Sequence, residues 1–245
     1  MKATILTIWM GNPLPPWMPQ LIENRNRIDG PFNWLIMGEN VPEEDHGKVQ
    51  LWPLSMEDFK QRVQDVGIIL SAGADRRKTA EVRPAYGEMF ADLLGDSDFW
   101  GYSDLDVVFG QIGKWWDEKV LGIYDVLTID TWITSGPLTV VRNNHRLNTL
   151  WMFIPNIMAK MGDTKFYASE ELGFGKAVWD EHMAGNIRAM FAPRPSHDKE
   201  HAKVTYNPTT GVLYDQVKGI SSYDPETKGR EVIAYHFMAT KRWPF

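Results

Sequence analysis

The sequence contains no cysteine, which excludes disulfides and thiolate metal sites without naming a compartment. It has no apolar run of the length that a bilayer-spanning helix needs. Positive charge is short: 26 Lys and Arg against 32 Asp and Glu leave a net charge of -6. No basic stripe carries interleaved aromatics, so no nucleic-acid partner is expected. Internal repeats, low-complexity tracts and a linker between domains are also missing. What is there, 245 residues of which 43% are hydrophobic and 24% charged, suits one soluble α/β domain over residues 1–245 with a full core. The run Met1 to Met10 superficially resembles a signal peptide. It is short, ends in Gly11-Asn12-Pro13 and lacks a small-x-small cleavage site, so a first strand is expected instead.

Hydrophobic patterning predicts strands at Lys2–Trp9, Phe32–Met37 and Val49–Leu54, with a helix from Pro16 through Met18, Leu21, Ile22 and Arg25 between the first two. Ser55 followed by Glu57 and Asp58 reads as a helix cap, opening a helix through Phe59 and Val63. This alternation predicts a mainly parallel sheet with right-handed crossovers. The polar stretch Ala72–Lys78 reads as a loop, and Pro84 opens a helix with Tyr86, Met89, Phe90 and Leu93 on its apolar face. Further helices are expected over Gln111–Leu121 and His145–Met161, and from Ser169 to Trp179. Strands are expected at Tyr124–Ile129 and Pro137–Val141, and after Ile187–Phe191 the pattern weakens to shorter ones near Lys203–Tyr206, Val212–Tyr214 and Glu231–Tyr235.

The chemistry is expected in the run from Asp98 to Gly110. It reads as an apolar, aromatic strand that nevertheless carries Asp104 and Asp106. Side chains two apart on a strand share a face, so both carboxylates can converge on one object. Unpaired, they would be costly in apolar surroundings, and a hard divalent cation such as Mg2+ or Mn2+ would remove that cost. The alternative is a pair of turn or capping residues, since a bare D-x-D motif is weak. Gly101 and Gly110 bracket the pair and allow a bend or a close backbone approach.

The runs Arg83-Pro84-Ala85-Tyr86-Gly87, Asp98 to Gly110, Ser135-Gly136-Pro137-Leu138-Thr139-Val140-Val141-Arg142-Asn143 and Tyr235-His236-Phe237 resemble small bacterial glycosyltransferases associated with surface polysaccharide synthesis. The resemblance covers most of the chain and is patchy between about residues 185 and 230. It implies the GT-A fold, a nucleotide-binding, Rossmann-like α/β sheet with a D-x-D metal motif. It also implies Asp106 as a metal ligand, with Asp104 on the metal or the donor ribose and His236 completing the coordination of Mn2+ or Mg2+. By the same resemblance Arg83 lies where a basic residue meets the donor phosphate or sugar, and Lys241 with Arg242 could clamp the diphosphate. Ser135 and Gly136 are candidates for close approach to the donor sugar. Thr7, Trp9 and Met10 at the end of the first strand, and Glu39 at the end of the second, should line the nucleotide pocket, because open α/β sheets bind ligands beyond the carboxyl ends of their strands.

The implied reaction moves a sugar from a nucleoside diphosphate of UDP or GDP type to a hydroxyl of a glycan or lipid-linked acceptor. If configuration inverts, a carboxylate must take the acceptor proton, and Glu170 and Glu171 are the candidates. Acids in a first helical turn also face the helix dipole favourably, and a retaining enzyme needs no such base, so the sequence leaves both points open. Trp115, Trp116, Trp132 and Trp243 are candidates for an acceptor groove. The tail Lys241–Phe245 suits at most peripheral membrane contact, with the protein expected in the cytoplasm, at the inner face of the membrane if it touches one. Two other readings stand beside this one. A nucleotidyltransferase would carry a glycine-rich, basic loop after the first strand, and residues 9–16 have one glycine and no Lys or Arg. A non-catalytic carbohydrate-binding module would stack sugars on tryptophan without nucleotide or metal.

Overall fold

The computed structural model describes residues 1–245 apart from 11–12, 72, 74–76, 131–132, 192–195, 198–203, 208, 210–211, 216–229 and 238–245. The first half lays down β1 (Ala3–Trp9), β2 (Phe32–Gly38), β3 (Glu44–Asp45), β4 (Val49–Pro53), β5 (Phe99–Tyr102) and β6 (Val107–Phe109). The second half adds β7 (Val126–Thr128), β8 (Thr139–Arg142) and β9 (Ala189–Phe191). The remaining strands are β10 (Ser196–His197), β11 (Val204–Asn207), β12 (Val212–Asp215), β13 (Arg230–Val232) and β14 (Ala234–His236). The main sheet has eight strands in the order β3-β4-β2-β1-β5-β8-β7-β9. Pairings β4/β2, β2/β1, β1/β5 and β7/β9 are parallel, and β8 runs antiparallel between β5 and β7.

The strand periodicity explains the two cores. Ile5, Trp34, Ile36, Phe99 and Val140 point to one face, while Leu6, Leu35, Met37, Trp100 and Val141 point to the other. On the second face pack the helix Met56–Asp65, the short helices Tyr86–Met89 and Ala91–Leu94, the segments between His145 and Met161, and the helix Phe174–Met183, while Ile112–Trp115 and Glu118–Ile123 pack with Met18–Asn26 on the first. Ser55 caps the first of these as expected, its hydroxyl accepting from the Asp58 amide at 3.0 Å.

Several long elements expected from the pattern are broken, each for a local reason. The helix foreseen over His145–Met161 becomes His145–Asn148, a 3-10 turn Leu150–Phe153 and Ile157–Met161. Pro155 cannot continue the helix, and Asn156 takes a left-handed φ of 58°. Gln111–Leu121 divides into Ile112–Trp115 and Glu118–Ile123, because the Asp117 carboxylate caps the second piece through the Lys119 and Val120 amides. Lys78, placed in a loop by its polar surroundings, is instead the first residue of a short helix and is buried. Ser169 does not cap a helix: Ser169–Gly173 forms a π turn ahead of the helix Phe174–Met183.

The correction that matters most lies at the D-x-D motif. No single strand runs from Asp98 to Gly110. The chain leaves the main sheet after Tyr102, crosses Ser103–Asp106 outside any strand, and enters β6 in a second, three-stranded sheet of order β10-β14-β6. The helix Met18–Asn26 pins β6 in place. Asn24 exchanges two hydrogen bonds with the Phe109 backbone, at 2.8 and 3.0 Å. The buried Arg25 guanidinium lies over the Trp34 and Phe109 rings and donates to the Val107 carbonyl at 2.9 Å.

Candidate active site and metal centre

Asp104 and Asp106 sit where the chain steps from one sheet to the other, at the carboxyl end of β5. The Ser103 amide donates to the Leu6 carbonyl at 3.1 Å, and the Thr7 hydroxyl donates to the Ser103 carbonyl at 3.1 Å. Thr7, Trp9 and Glu39 therefore stand at the same end of the sheet as the motif, since β1 and β2 run parallel with Trp9 opposite Gly38. Thr7 contacts the motif's backbone. Glu39 is exposed, the Trp9 indole donates to the Pro13 carbonyl at 3.1 Å, and the Met10 side chain is buried in the core beneath the second face.

His236 arrives from the far end of the sequence by strand pairing. In the antiparallel β14/β6 register it lies opposite Val107, and the Phe237 amide donates to the Asp106 carbonyl at 3.0 Å. The imidazole Nε2 is 3.3 Å from Asp106 Oδ1 and 3.6 Å from Asp104 Oδ2. One potential ligand atom from each residue falls within 4.8 Å of the others. Two carboxylates and an imidazole form a donor set suited to a divalent cation with hard or borderline preferences. The triad is a candidate metal centre.

Arg83 and the Ser135-Gly136 loop close the other side. Arg83 Nη2 donates to Asp104 Oδ1 at 2.6 Å, so it grips the first aspartate of the motif. The Asp104 amide in turn donates to the Gly136 carbonyl at 3.1 Å. A methyl group on Gly136 would come within 3.1 Å of Arg83 Nη1, 3.3 Å of Asp104 Oδ2 and 3.5 Å of Glu171 Oε1. Glycine at this position therefore lets three charged side chains meet over one piece of backbone. Ser135 is buried, and its amide donates to the Thr128 and Thr139 hydroxyls, both at 2.9 Å.

Glu170 and Glu171 belong to the same site. The Glu170 carbonyl accepts from Thr134 Oγ1 and, at 3.4 Å, from the Tyr102 hydroxyl. Its carboxyl is buried, and Oε2 has no hydrogen-bond partner. Burial pushes Glu170 up to about 7, against the opposing pull of Arg83. Burial also raises Glu171, helped by the nearby Asp104 charge. Burial is the largest single influence on the Arg83 guanidinium and opposes its charge, but Asp104, Tyr86 and Glu170 outweigh it and hold the cation. The four carboxyl groups thus outnumber Arg83 and His236, and the excess negative charge favours a bound cation.

Glu170 makes stability depend on pH in a definite direction. Its folded value lies above the ordinary 4.5, so the fold favours the protonated form. That stabilisation is complete below about 4.5, is lost as pH rises through about 7, and amounts to about 3 kcal/mol. Urea unfolding of metal-free protein at pH 5 and pH 8 should show this loss, and Glu170→Gln should remove most of it. Equal pH slopes in the two proteins would refute the assignment.

A further pair, not foreseen from the sequence, fixes this geometry. Lys78 and Glu81 are both buried, with Nζ 2.5 Å from Oε2. The Lys78 ammonium also donates to the Lys160 and Lys165 carbonyls at 2.8 and 2.6 Å. The second Glu81 oxygen accepts from the Tyr167 amide at 2.5 Å and from the Ser169 amide and hydroxyl, both at 3.3 Å. The segment entering Arg83 is thereby tied to the segment entering Glu170. The i,i+3 spacing was visible in the sequence, but surface ion pairs share it. Of the tryptophan candidates, Trp116 is core and Trp115 is partly exposed. Trp132, Trp243, Lys241 and Arg242 lie outside the described residues.

The chain belongs to DUF6625, a family of unknown function. The family pattern matches residues 5–237, almost the whole chain. No curated protein matches the sequence. Among solved structures the chain is similar to mouse xyloside xylosyltransferase 1, at 10% identity over 100% of both chains with a TM-score of 0.51. It is also similar to the galactosyltransferase LgtC in complex with donor and acceptor sugar analogs, at 13% identity over 97% of this chain and 87% of that one, with a TM-score of 0.45. A third is the mannosyltransferase PcManGT from Pyrobaculum calidifontis in complex with GDP-Man and Mn2+, at 11% identity over 78% of this chain and 55% of that one, with a TM-score of 0.40. The match to the mouse enzyme, together with the sheet order, gives this DUF6625 protein the GT-A fold.

Proposed function

We propose that this DUF6625 protein is a nucleotide-sugar glycosyltransferase, moving a sugar from a nucleoside diphosphate of UDP or GDP type to a hydroxyl of a polysaccharide or glycolipid acceptor. The observation that carries the reading is the convergence of Asp104, Asp106 and His236 at the carboxyl end of β5 in a GT-A sheet. Solved neighbours of this fold include proteins bound to sugar analogs and to GDP-Man with Mn2+. The triad would hold Mn2+ or Mg2+, which supplies Lewis-acid stabilisation of a departing phosphate oxygen. Thr7, Trp9, Glu39, Ser135 and Gly136 would line the donor side, with Lys241 as a further candidate for the diphosphate. Arg83 contributes fixed positive charge beside Asp104, where charge develops as the bond to the sugar breaks. In an inverting reaction Glu170 or Glu171 takes the acceptor proton. A carboxyl titrating near 7 is well matched to that task, which favours Glu170. The 245 residues act as one domain, and the setting is bacterial surface polysaccharide synthesis at the inner face of the cytoplasmic membrane.

A thermal-shift screen tests the reading. UDP or GDP with Mn2+ should raise the melting temperature through mass action, and either component alone should raise it less. Stabilisation by glycans with no response to nucleotide or metal would mean a binding module instead.

A further inference from the structure

A groove of about 520 Å³ lies on the second face of the sheet, and none of its lining residues belongs to the candidate metal centre. Its walls come from the end of β4, the helix Met56–Asp65, and the short helices Tyr86–Met89 and Ala91–Leu94. Trp52 is the aromatic wall. Along β4, Val49 and Leu51 are buried in the core of the first face, so strand alternation turns Trp52 to the second. Its side chain is 40% exposed. Among the described residues the indole N–H has no hydrogen-bond partner and the ring packs on no other ring. An open ring face and an uncommitted donor therefore stand on the groove wall.

The polar side chains around it offer mostly acceptors. Asp58, Gln61 and Asp65 follow one another at helical spacing and share the groove face of their helix. Asp58 accepts from the Ser55 hydroxyl at 2.6 Å, and Asp65 from Gln61 Nε2 at 2.8 Å, each through one carboxylate oxygen. Glu88 accepts from the Trp151 indole at 3.0 Å, again through a single oxygen. Among the described residues, the second oxygen of each carboxylate and the Gln61 carbonyl have no partner. Arg62 is already spent. It holds both oxygens of Asp92, at 2.7 and 2.8 Å, and the Met89 carbonyl at 2.9 Å. The lining thus carries four carboxylates against one guanidinium, which Asp92 neutralises. A matching ligand must bring hydrogen-bond donors, lay an apolar face on Trp52 and carry no negative charge. A neutral sugar ring does all three, with hydroxyls around its edge and C–H groups on its faces. Among the described residues the three-ligand cluster lies at Asp104, Asp106 and His236 and not in this groove, so a metal ion is the poorer match.

We propose that this groove binds a neutral glycan, with one sugar ring stacked on Trp52 and its hydroxyls donating to Asp58, Gln61, Asp65 and Glu88. The groove is placed to hold an acceptor chain. β4, β2, β1 and β5 are parallel neighbours, so the groove and the D-x-D motif lie at the same end of the sheet, three strands apart. The turns from Arg83 to Met89 connect the two, with Arg83 on Asp104 and Glu88 in the groove. Sugars bound here would retain a polysaccharide while its end is at the transfer site. That role rests on the sugar-transfer reading, but the binding itself does not.

Nuclear magnetic resonance on the full chain, without metal or nucleotide, tests the binding alone. The Trp52 indole signal is assigned with Trp52→Phe. Cellohexaose and maltohexaose are the neutral probes, and hexagalacturonate is the acidic one. At least one neutral hexasaccharide should shift the Trp52 signal saturably, and hexagalacturonate should not. Followed at the Gln61 side-chain amide, Trp52→Ala should weaken that binding about tenfold, the worth of one stacking contact. Asp65→Ala should weaken it about threefold, the worth of one hydrogen bond. Both residues are exposed, so both variants should keep the wild-type melting temperature. A Trp52 signal unmoved by both neutral probes, or binding untouched by Trp52→Ala, would overturn the groove. Hexagalacturonate bound as tightly as the neutral probes would overturn the neutral class. The response to nucleotide and Mn2+ is read separately by thermal shift, so failure of either result leaves the other standing.

Discussion

Asp106→Ala should abolish the Mn2+-dependent part of nucleotide stabilisation and lower transfer at least about a hundredfold, since metal assistance of this kind is worth several kcal/mol. The size of the effect follows from what the substitution leaves behind. Asp104 already gives Oδ1 to Arg83, so its Oδ2 and the His236 imidazole would be the remaining donors of the triad. The metal-free protein should stay folded, because the alanine removes one charge from a site crowded with carboxyl groups. The melting temperature without metal checks this directly. A folded variant with undiminished activity and an undiminished response to Mn2+ would sink the metal assignment.

Glu81→Ala should cost about 3–5 kcal/mol of stability, the usual penalty for removing one partner of a buried ion pair. That is a large share of the roughly 5–15 kcal/mol that holds a typical protein together. The alanine would leave the Lys78 ammonium buried against carbonyls alone, and the Tyr167 and Ser169 amides would lose their acceptor. Glu81→Gln keeps an acceptor oxygen and should cost less. Urea unfolding measures the loss, and hydrogen exchange at Tyr167 and Ser169 should speed up more than at the β1 amides. A loss below about 1 kcal/mol, the range of a surface pair, would mean that the pair does not anchor the Glu170 segment.

The misread elements share a physical pattern. Pro155 with Asn156, and Asp117, each fall between two short helical pieces where apolar spacing continues, so periodicity alone ran the pieces together. At the D-x-D motif the error was of another kind. The apolar stretches Trp100–Tyr102 and Val107–Phe109 flank Ser103, Asp104 and Asp106, and the two carboxylates at i and i+2 fit one face of a single strand as well as a crossing between two sheets. Gly101 does carry a local signal: a Cβ there would lie 2.5 Å from the Thr139 carbonyl and 2.7 Å from Ile5 Cδ1. It marks the tight packing of β5 between β1 and β8.

The sequence by itself determined the strands of the sheet's parallel half, the D-x-D pair at Asp104 and Asp106, and the absence of thiol chemistry. These are local properties, written in hydrophobic runs, capping residues and composition. Only the tertiary structure decided which partners those aspartates meet. His236 reaches them through the β14/β6 register, Arg83 through a turn packed beside β5, and Glu170 through a segment tied down by a buried ion pair. Each of these contacts joins residues far apart in the chain. Their energy comes from burial and pairing that exist only once the sheets and helices have packed.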